Sequence, residues 1–315
     1  MAMDNETRMQ KIGRSIDKHA YTIMVIPAIV LALVVSIWPS LQTILYSFQQ
    51  YKLLVKTRKF IGFDNYKRLF TSSSIKETTA NTAFFSLVSV AVAVLLALFT
   101  AAKLVKDYPG KGFFRAMFLV PWVTPPIAAS FMWKILYNEN FSPINSLLLK
   151  LGWIKTPINF LGDTTLFCGF LSVPLIMITI VNIWSIFPFL MVMFIAALQT
   201  VPSDLYEAAA IDGAGPIKRF WLISVPIIRP MVSISVLLEF VWQFNGFNVS
   251  YLVTSGGPLE HTKLLAVEVY NQAWKMFDYG YSSTVSCFML LLISIPAIIY
   301  IRSTVKSSMV KPEGK

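Results

Sequence analysis

Long apolar runs separated by short polar segments dominate this sequence. A helix that crosses the ~30 Å hydrocarbon layer of a membrane needs roughly 20 mostly apolar residues. The runs that reach this length are Tyr21–Phe48, Ala80–Leu104, Phe113–Leu136, Leu166–Leu198, Pro230–Leu252 and Ser282–Ile301. The pattern therefore predicts an all-α integral membrane protein with six transmembrane helices and both termini on one face.

Two of these runs carry further information. Tyr21–Phe48 is too long for a signal-peptide core and lacks a small-residue cleavage site, so we interpret it as a retained first span after a tail at 1–20. Leu166–Leu198 can hold a span and a lead-in segment, and Pro174 and Pro188 are expected to bend or interrupt it. The remaining predicted divisions are an extracytoplasmic loop at 49–79, a core domain at 80–302 and a C-terminal tail at 303–315.

Composition and charge support the membrane class. Hydrophobic residues make up 56% of the chain and charged residues only 14%, whereas a soluble domain has about 25% charged residues. The net charge of +11 comes from Lys and Arg in loops and termini, which is typical of a membrane protein and gives no reason to expect a nucleic-acid partner. The segment Lys52–Lys76 holds seven of these cations and several aromatics. Basic residues favour the cytoplasmic side of a membrane, so these seven cations in a loop on the opposite side weaken the charge argument for a cytoplasmic N-terminus. The aromatics among them predict a folded cap.

Signatures of catalysis are absent from the sequence. There is no GxxxxGK[ST], HExxH or GxSxG pattern, and His19 and His261 are isolated. We therefore expect a non-enzyme with no cofactor or metal of its own. Cys168 and Cys287 have no CxxC spacing, and we interpret both as small buried hydrophobic residues rather than a disulfide pair.

The segment 200–228, between the fourth and fifth runs, is the most informative in the chain. Ser203 or Asp204 can cap a helix, and the alanines that follow favour helix without adding bulk. Gly213 and Gly215 are expected to end that helix, and Pro216 to begin another. A short helix with a small-residue face and a sharp turn is suited to docking against another protein.

This segment resembles the EAA loop of binding-protein-dependent ABC importer permeases, and the chain is similar to the carbohydrate branch of maltose-importer type. Further matching stretches are Trp242–Phe247, Thr254–Pro258 and Asp278–Tyr281. The resemblance implies a type I importer permease fold with cytoplasmic termini in the bacterial inner or plasma membrane. By that resemblance, the residues that couple the chain to an ATPase are Glu207, Ala208, Ala209, Asp212, Gly213 and Gly215.

The resemblance also implies the partners. They are a second, homologous permease in a heterodimer, two ATP-binding cassette subunits that bind ATP and Mg²⁺, an extracytoplasmic solute-binding protein, the lipid bilayer and a sugar or oligosaccharide. The other possibilities are an ABC permease for a non-sugar solute such as a glycerol phosphate, an ion-coupled secondary transporter, or a membrane enzyme that uses Glu239.

Polar residues within the apolar runs indicate where a substrate would pass. Glu239, Trp242, Gln243 and Gly246 share one helical face. A carboxylate and an amide suit sugar hydroxyls, and an indole suits the apolar face of a pyranose; alternatively Glu239 pairs with a neighbouring subunit and Trp242 only packs. The other candidate ligand-contacting residues are Asn245 beside this face and Asn182, Trp184 and Ser185 in the fourth run.

Overall fold

The computed structural model describes residues 24–54, 57–169 and 171–309, which are mostly helical. The helices are α1 (Met24–Ser47), α2 (Asp64–Thr71), α3 (Ser73–Leu104), α4 (Lys111–Val123), α5 (Pro126–Leu136), α6 (Pro143–Lys150), α7 (Val173–Leu198), α8 (Ser203–Ile211), α9 (Pro216–Phe244), α10 (Leu265–Tyr270) and α11 (Tyr279–Met309). Segments of π-helix are Ala32–Ile37 in α1, Phe220–Ser224 in α9, Ser250–Thr254 and Asn271–Lys275. The predicted tail at 1–20 and residues 310–315 lie outside the described ranges, and α11 includes 303–309, which the sequence assigned to a tail.

Five helices in the described ranges are long and apolar enough to cross a membrane: α1, α3, α7, α9 and the Tyr279–Arg302 part of α11. A sixth crossing is reached if α4 and α5 are taken together, in agreement with the predicted six. These two helices meet at 92°, so the run Phe113–Leu136 is a broken span and not one helix. Pro125 and Pro126 supply no backbone N–H, and Thr124 before them is extended, which ends α4.

The fourth run contains the expected lead-in but not the expected interruption. Strands β3 (Leu166–Phe167) and β4 (Leu171–Ser172) pair in antiparallel register, and α7 follows directly. The helix continues through Pro188 to Leu198, so an interruption at Pro188 is wrong, whereas a bend there stays a prediction. Pro174 lies in the first turn, where a missing N–H has no helical partner to lose. Pro188 is buried, and tertiary packing maintains the helix around it.

The fifth run and its helix have different bounds. Helix α9 begins at Pro216, well before the apolar run, and ends at Phe244. The last residues of the run belong to the separate π-helical segment Ser250–Thr254. Counting apolar residues missed this break because Asn245–Gly246 interrupts the helix within a stretch that stays aromatic on both sides.

Helices α3 and α7 form the most extensive helix pair. Ala93, Ala97 and Ala101, four residues apart, are fully buried in α3, and Leu190 and Phe194 of α7 are fully buried in the same cluster. Small residues at this spacing let helix backbones approach closely in a membrane, where van der Waals packing is the main attraction. This pair forms the centre of the fold.

Residues 49–54 and 57–71 form a cap that packs on the start of α11, in the region where Lys52–Lys76 predicted one, whereas 73–79 of the predicted loop belong to α3. Strands β1 (Gln49–Lys52) and β2 (Thr57–Phe60) make a hairpin, and α2 follows. The buried Asn65 donates to the carbonyl oxygens of Ser47 and Gln49, at 3.0 and 2.9 Å. A side chain on Gly280 of α11 would overlap the carbonyl oxygen of Gln49, so only glycine allows this contact. The cap is therefore fixed to α11, as a folded unit should be.

The interpretation of the two cysteines was half right. Cys287 is buried, but Cys168 is exposed between β3 and β4, and neither is in a disulfide. Cys168 has φ of 52°, a turn conformation that places its side chain outside the helix packing.

An ion cluster around the buried Lys263 ties the loop before α10 to α3. The side chain of Lys263 is 6% exposed, and its Nζ lies 2.8 Å from Oε1 of the exposed Glu260 and 2.9 Å from Oε2 of the buried Glu268. It also donates to Ser74 Oγ of α3, at 2.9 Å. Burial opposes ionisation of Glu260, but hydrogen bonds from Lys263 and Ser74 outweigh that effect and hold the pKa of Glu260 below its usual range.

We expect Lys263→Met to lower the free energy of unfolding by roughly 3–5 kcal/mol, because the buried Glu268 carboxylate would lose its countercharge. Thermal unfolding in detergent measures the change. Lys59→Met at an exposed position is the matched control, with an expected change within about 0.5 kcal/mol. Equal stability of the two variants would contradict a structural role for the cluster; Glu268→Gln added to Lys263→Met should restore part of the loss.

Candidate functional site

Helix α8 is short and exposed, and it lies between two spans. The chain turns after it at Gly213, which has φ of 74°, and α9 starts with Pro216 at its first position. Both features agree with the sequence prediction. The predicted capping is wrong: Pro202 occupies the cap position, and Ser203 Oγ instead bonds Asp204 Oδ1 at 3.3 Å.

Tyr206 anchors this helix to the transmembrane part. Its hydroxyl lies 2.7 Å from Ser224 Oγ on α9, and its ring packs against the α3–α7 cluster. Arg219 Nη1 donates to the Tyr206 carbonyl oxygen at 3.3 Å. Helix α8 is therefore attached on one side to the start of α9 and free on the other.

The end of α8 and the first turns of α9 expose apolar groups on either side of the turn at Gly213. Ile211 is 87% exposed, Ile217 77% and Leu222 64%. Among the predicted coupling residues, Glu207, Ala208, Asp212, Gly213 and Gly215 are exposed and Ala209 is half-buried. Large apolar side chains in water beside a small-residue face mark a surface that another protein covers.

Glu239 and Gln243 lie one turn apart on α9, near the end of this span. Glu239 is 2% exposed, and its Oε2 accepts a hydrogen bond of 2.8 Å from Gln243 Nε2. Trp242 on the same face is 53% exposed. Gly246 begins the break in the helix, where an added Cβ would lie 2.8 Å from the Gln243 carbonyl oxygen and 3.1 Å from Phe85.

Phe189 of α7 brings α4 and α9 together. Its ring centroid is 5.6 Å from that of Trp242 and 5.7 Å from that of Trp122 on α4. The sequence reasoning missed Phe189 and Trp122. The signal was present for Phe189, which follows Asn182 by seven residues and Ser185 by four, and so shares their helical face.

The predicted residues of α7 divide between two faces. Asn182 is 5% exposed, and its Nδ2 has no hydrogen-bond partner among the described residues. Ser185 Oγ bonds the Val181 carbonyl oxygen within its own helix, at 3.1 Å. Trp184 packs edge-on against Trp133 of α5, 5.6 Å between centroids, away from the Phe189 contact.

Asn245 has a local role at the end of α9. It is exposed, and its Nδ2 donates to the Val241 carbonyl oxygen at 2.8 Å. The structure thus joins Glu239 directly with Gln243, and Trp242 with the aromatic residues of α4 and α7, whereas the amide donor of Asn245 bonds its own helix. A carboxylate, an amide and aromatic faces together can hydrogen-bond hydroxyl groups and stack on apolar ring faces.

Comparisons with known proteins agree with this architecture. A family model described as binding-protein-dependent transport system inner membrane component matches residues 7–303. The chain is 31% identical over 280 residues to the trehalose/maltose transport system permease protein MalF of Thermococcus litoralis, covering 89% of this chain and 92% of the relative. It is 29% identical over 288 residues to the sn-glycerol-3-phosphate transport system permease protein UgpA of Escherichia coli O157:H7, covering 90% and 94%.

A further relative is the sulfoquinovosyl glycerol transport system permease protein SmoG of Agrobacterium fabrum, 28% identical over 94% of this chain and 92% of the relative. Among solved structures, a chain of a bacterial ABC transporter involved in alginate import aligns with a TM-score of 0.78 at 17% identity, covering 96% of this chain and 100% of that chain. A chain of a bacterial alginate ABC transporter in complex with an alginate pentasaccharide-bound periplasmic protein aligns with a TM-score of 0.75 at 18% identity, covering 91% of this chain and 94% of that chain. At these identities the structures show that the fold is shared.

We expect Tyr206→Phe to loosen α8 by removing its hydrogen bond to Ser224, at a cost of about 1 kcal/mol in local stability. Hydrogen exchange of the α8 amides measures the change and should accelerate roughly fivefold. Ser224→Ala should give a similar increase, and the double variant should add little to either single one. Additive effects would show that the two hydroxyls act independently.

Proposed function

The chain belongs to the family of binding-protein-dependent transport system inner membrane components, and we propose that it is the permease subunit of an ATP-driven importer for a sugar or oligosaccharide. The observation that carries the proposal is α8, an exposed helix fixed by Tyr206 to the start of α9. A permease whose sequence has no ATP-binding motif needs such a surface, because the conformational change of an ATPase subunit must reach it through a contact.

The named substrates of the relatives support a polyhydroxylated ligand. Their names refer to trehalose and maltose, glycerol 3-phosphate and sulfoquinovosyl glycerol. Glu239 distinguishes among these chemistries, because a buried carboxylate repels an anionic ligand unless a partner supplies cations. We therefore favour a neutral sugar, and a glycerol-phosphate type of solute is the second candidate.

In the proposed mechanism, α8 transmits nucleotide-driven closure of the ATPase subunits to the spans. Glu207 and the alanines would enter a groove of the ATPase, and the exposed Ile211 would be covered there. Because α9 continues from this loop to Glu239 and Gln243, a displacement of α8 reaches the ligand-contacting face through one helix.

The proposed assembly contains two permeases. Six spans seldom enclose a pathway alone. The face of α9 that carries Glu239 and Gln243 also leaves Trp242 half-exposed, so that a second subunit or a ligand can cover it. We propose a homologous permease in a heterodimer, two ATP-binding cassette subunits that carry ATP and Mg²⁺, and an extracytoplasmic solute-binding protein. An EAA loop facing the ATPases requires cytoplasmic termini in a bacterial inner or plasma membrane.

The proposed ligand contacts are hydrogen bonds to Glu239 and Gln243 and stacking on Trp242. Asn182 and Phe189 would complete the site from α7, because the unpartnered amide donor of Asn182 is available for a hydroxyl oxygen. Gly246 packs against Phe85 and so serves the helix contact and not the ligand in the conformation described, and Trp184, Ser185 and Asn245 would also stay outside direct contact.

The experiment that tests the function is ATPase activity of the complex purified with its co-encoded partners in lipid, with and without a panel of sugar-loaded binding proteins. We expect one loaded binding protein to stimulate the wild type and Glu207→Arg to lose that stimulation, because a cation would replace the carboxylate in the docking surface. Asp107→Arg, at an exposed position between α3 and α4 on the same side of the membrane as α8, is the charge-matched control and should remain stimulated.

Absence of any ATPase from the purified wild type would overturn the assignment and favour an ion-coupled carrier. Stimulation that persists in Glu207→Arg would leave the complex in place but remove α8 as the coupling element.

Substitution of the ligand face should separate transport from assembly. We expect Glu239→Ala and Gln243→Ala each to reduce sugar uptake into proteoliposomes by roughly ten- to a hundredfold, since each removes a charged or charge-paired hydrogen bond to the ligand. Ser235→Ala is the control: it lies one turn earlier on α9, and its hydroxyl bonds only its own helix at Met231. Unimpaired uptake by both ligand-face variants would remove this site.

A further inference from the structure

The cap (residues 49–54 and 57–71) has an excess of positive charge that the described residues do not neutralise. Arg58, Lys59 and Lys67 are exposed, and among the residues that the structure describes Lys59 and Lys67 make no ion pair. Arg68 is paired with Asp278 at 3.2 Å. The cap's acidic side chain Asp64 is exposed on the same helix and offsets only part of this charge.

The cap lies beside the membrane-spanning helices, not far above them. The ring of Phe70 in α2 contacts that of Phe288 in α11, with centroids 5.8 Å apart. Phe288 follows Tyr279 by nine residues, so it lies about 14 Å along the helix from its start. The cap hairpin also begins at Gln49, directly after α1 ends at Ser47. Both attachments place the cap at the edge of the hydrocarbon layer.

The exposed face of the cap combines aromatic rings with ammonium groups. Phe63, Lys67 and Phe70 recur at the i, i+4, i+7 spacing of one helical face, and the two rings are 72% and 61% exposed. On β2, Lys59 and Phe60 are both exposed, Phe60 by 73%, and as consecutive strand residues their side chains leave opposite sides of the strand. Aromatic rings at headgroup level, with lysines that reach the phosphates, are the composition of a membrane-interface surface.

We propose that the cap binds anionic phospholipid headgroups, with Lys59 and Lys67 at the phosphates and Phe63 and Phe70 in the interfacial layer. Anionic lipid accounts for both the uncompensated cations and the exposed rings, because the rings can enter the bilayer beside α1 while the ammonium groups remain with the headgroups. The orientation proposed above makes this the outer leaflet; the binding itself does not depend on the transport activity.

The test is lipid binding by the delipidated permease complex in detergent, titrated with palmitoyl-oleoyl phosphatidylglycerol or with the corresponding phosphatidylcholine and followed by native mass spectrometry. We expect the wild type to retain phosphatidylglycerol preferentially and Lys59→Gln/Lys67→Gln to bind it at least tenfold more weakly, since each cation near a lipid surface contributes about 1 kcal/mol. The matched control is Lys150→Gln/Lys155→Gln, which removes the same charge from exposed positions at the end of α6 and just after it.

Three outcomes would overturn the proposal. They are equal retention of the two lipids by the wild type, unchanged phosphatidylglycerol binding in the cap variant, or an equal loss in the control variant, which would indicate net charge and not the cap. Affinity for the solute-binding protein is measured on the same samples and should not change. Its loss with lipid binding intact would identify the cap as a protein-docking surface.

Discussion

The close packing of α3 against α7 is the contact on which the other elements depend. Alanines on α3 allow the two backbones to approach, and the buried Leu190 and Phe194 fill the space that remains. At one end of the pair, the ring of Tyr206 packs against this cluster, and this contact fixes α8. At the other end, Thr82 of α3 accepts a hydrogen bond from the Leu265 backbone at 2.9 Å, and so fixes the loop before α10.

Helix α9 connects the two regions that function requires. It begins in the exposed loop after α8 and ends at the break beside Gly246, a length of about 43 Å for its 29 residues. Its first turns hold Ser224, which bonds Tyr206, and its last turns hold Glu239 and Gln243. The chain stays helical between Ser224 and Glu239, because every backbone polar group in a bilayer must be hydrogen-bonded within the protein. The same hydrogen bonds make this part of α9 stiff.

Irregular backbone is concentrated at the ends of this framework. The break between α4 and α5 follows Trp122, whose ring contacts that of Phe189, and the break after α9 leads to π-helix at Ser250–Thr254. The ion cluster around Lys263 then fixes the loop that follows. In a membrane such breaks persist only where neighbouring protein or a water-filled cavity satisfies the freed polar groups.

Much of this protein follows from the sequence by itself. The apolar runs, the helix and turn around Gly213 and Pro216, and the face shared by Glu239 and Gln243 are local properties of spacing, glycine and proline. The broken span at Pro125, the continuity of α7 through Pro188, the convergence of Phe189 with Trp122 and Trp242, and the partner of Lys263 appear only in the folded chain. These depend on which helix faces meet, and in a chain with apolar residues on every side the pattern of polarity does not specify that; packing and the pairing of buried polar groups do.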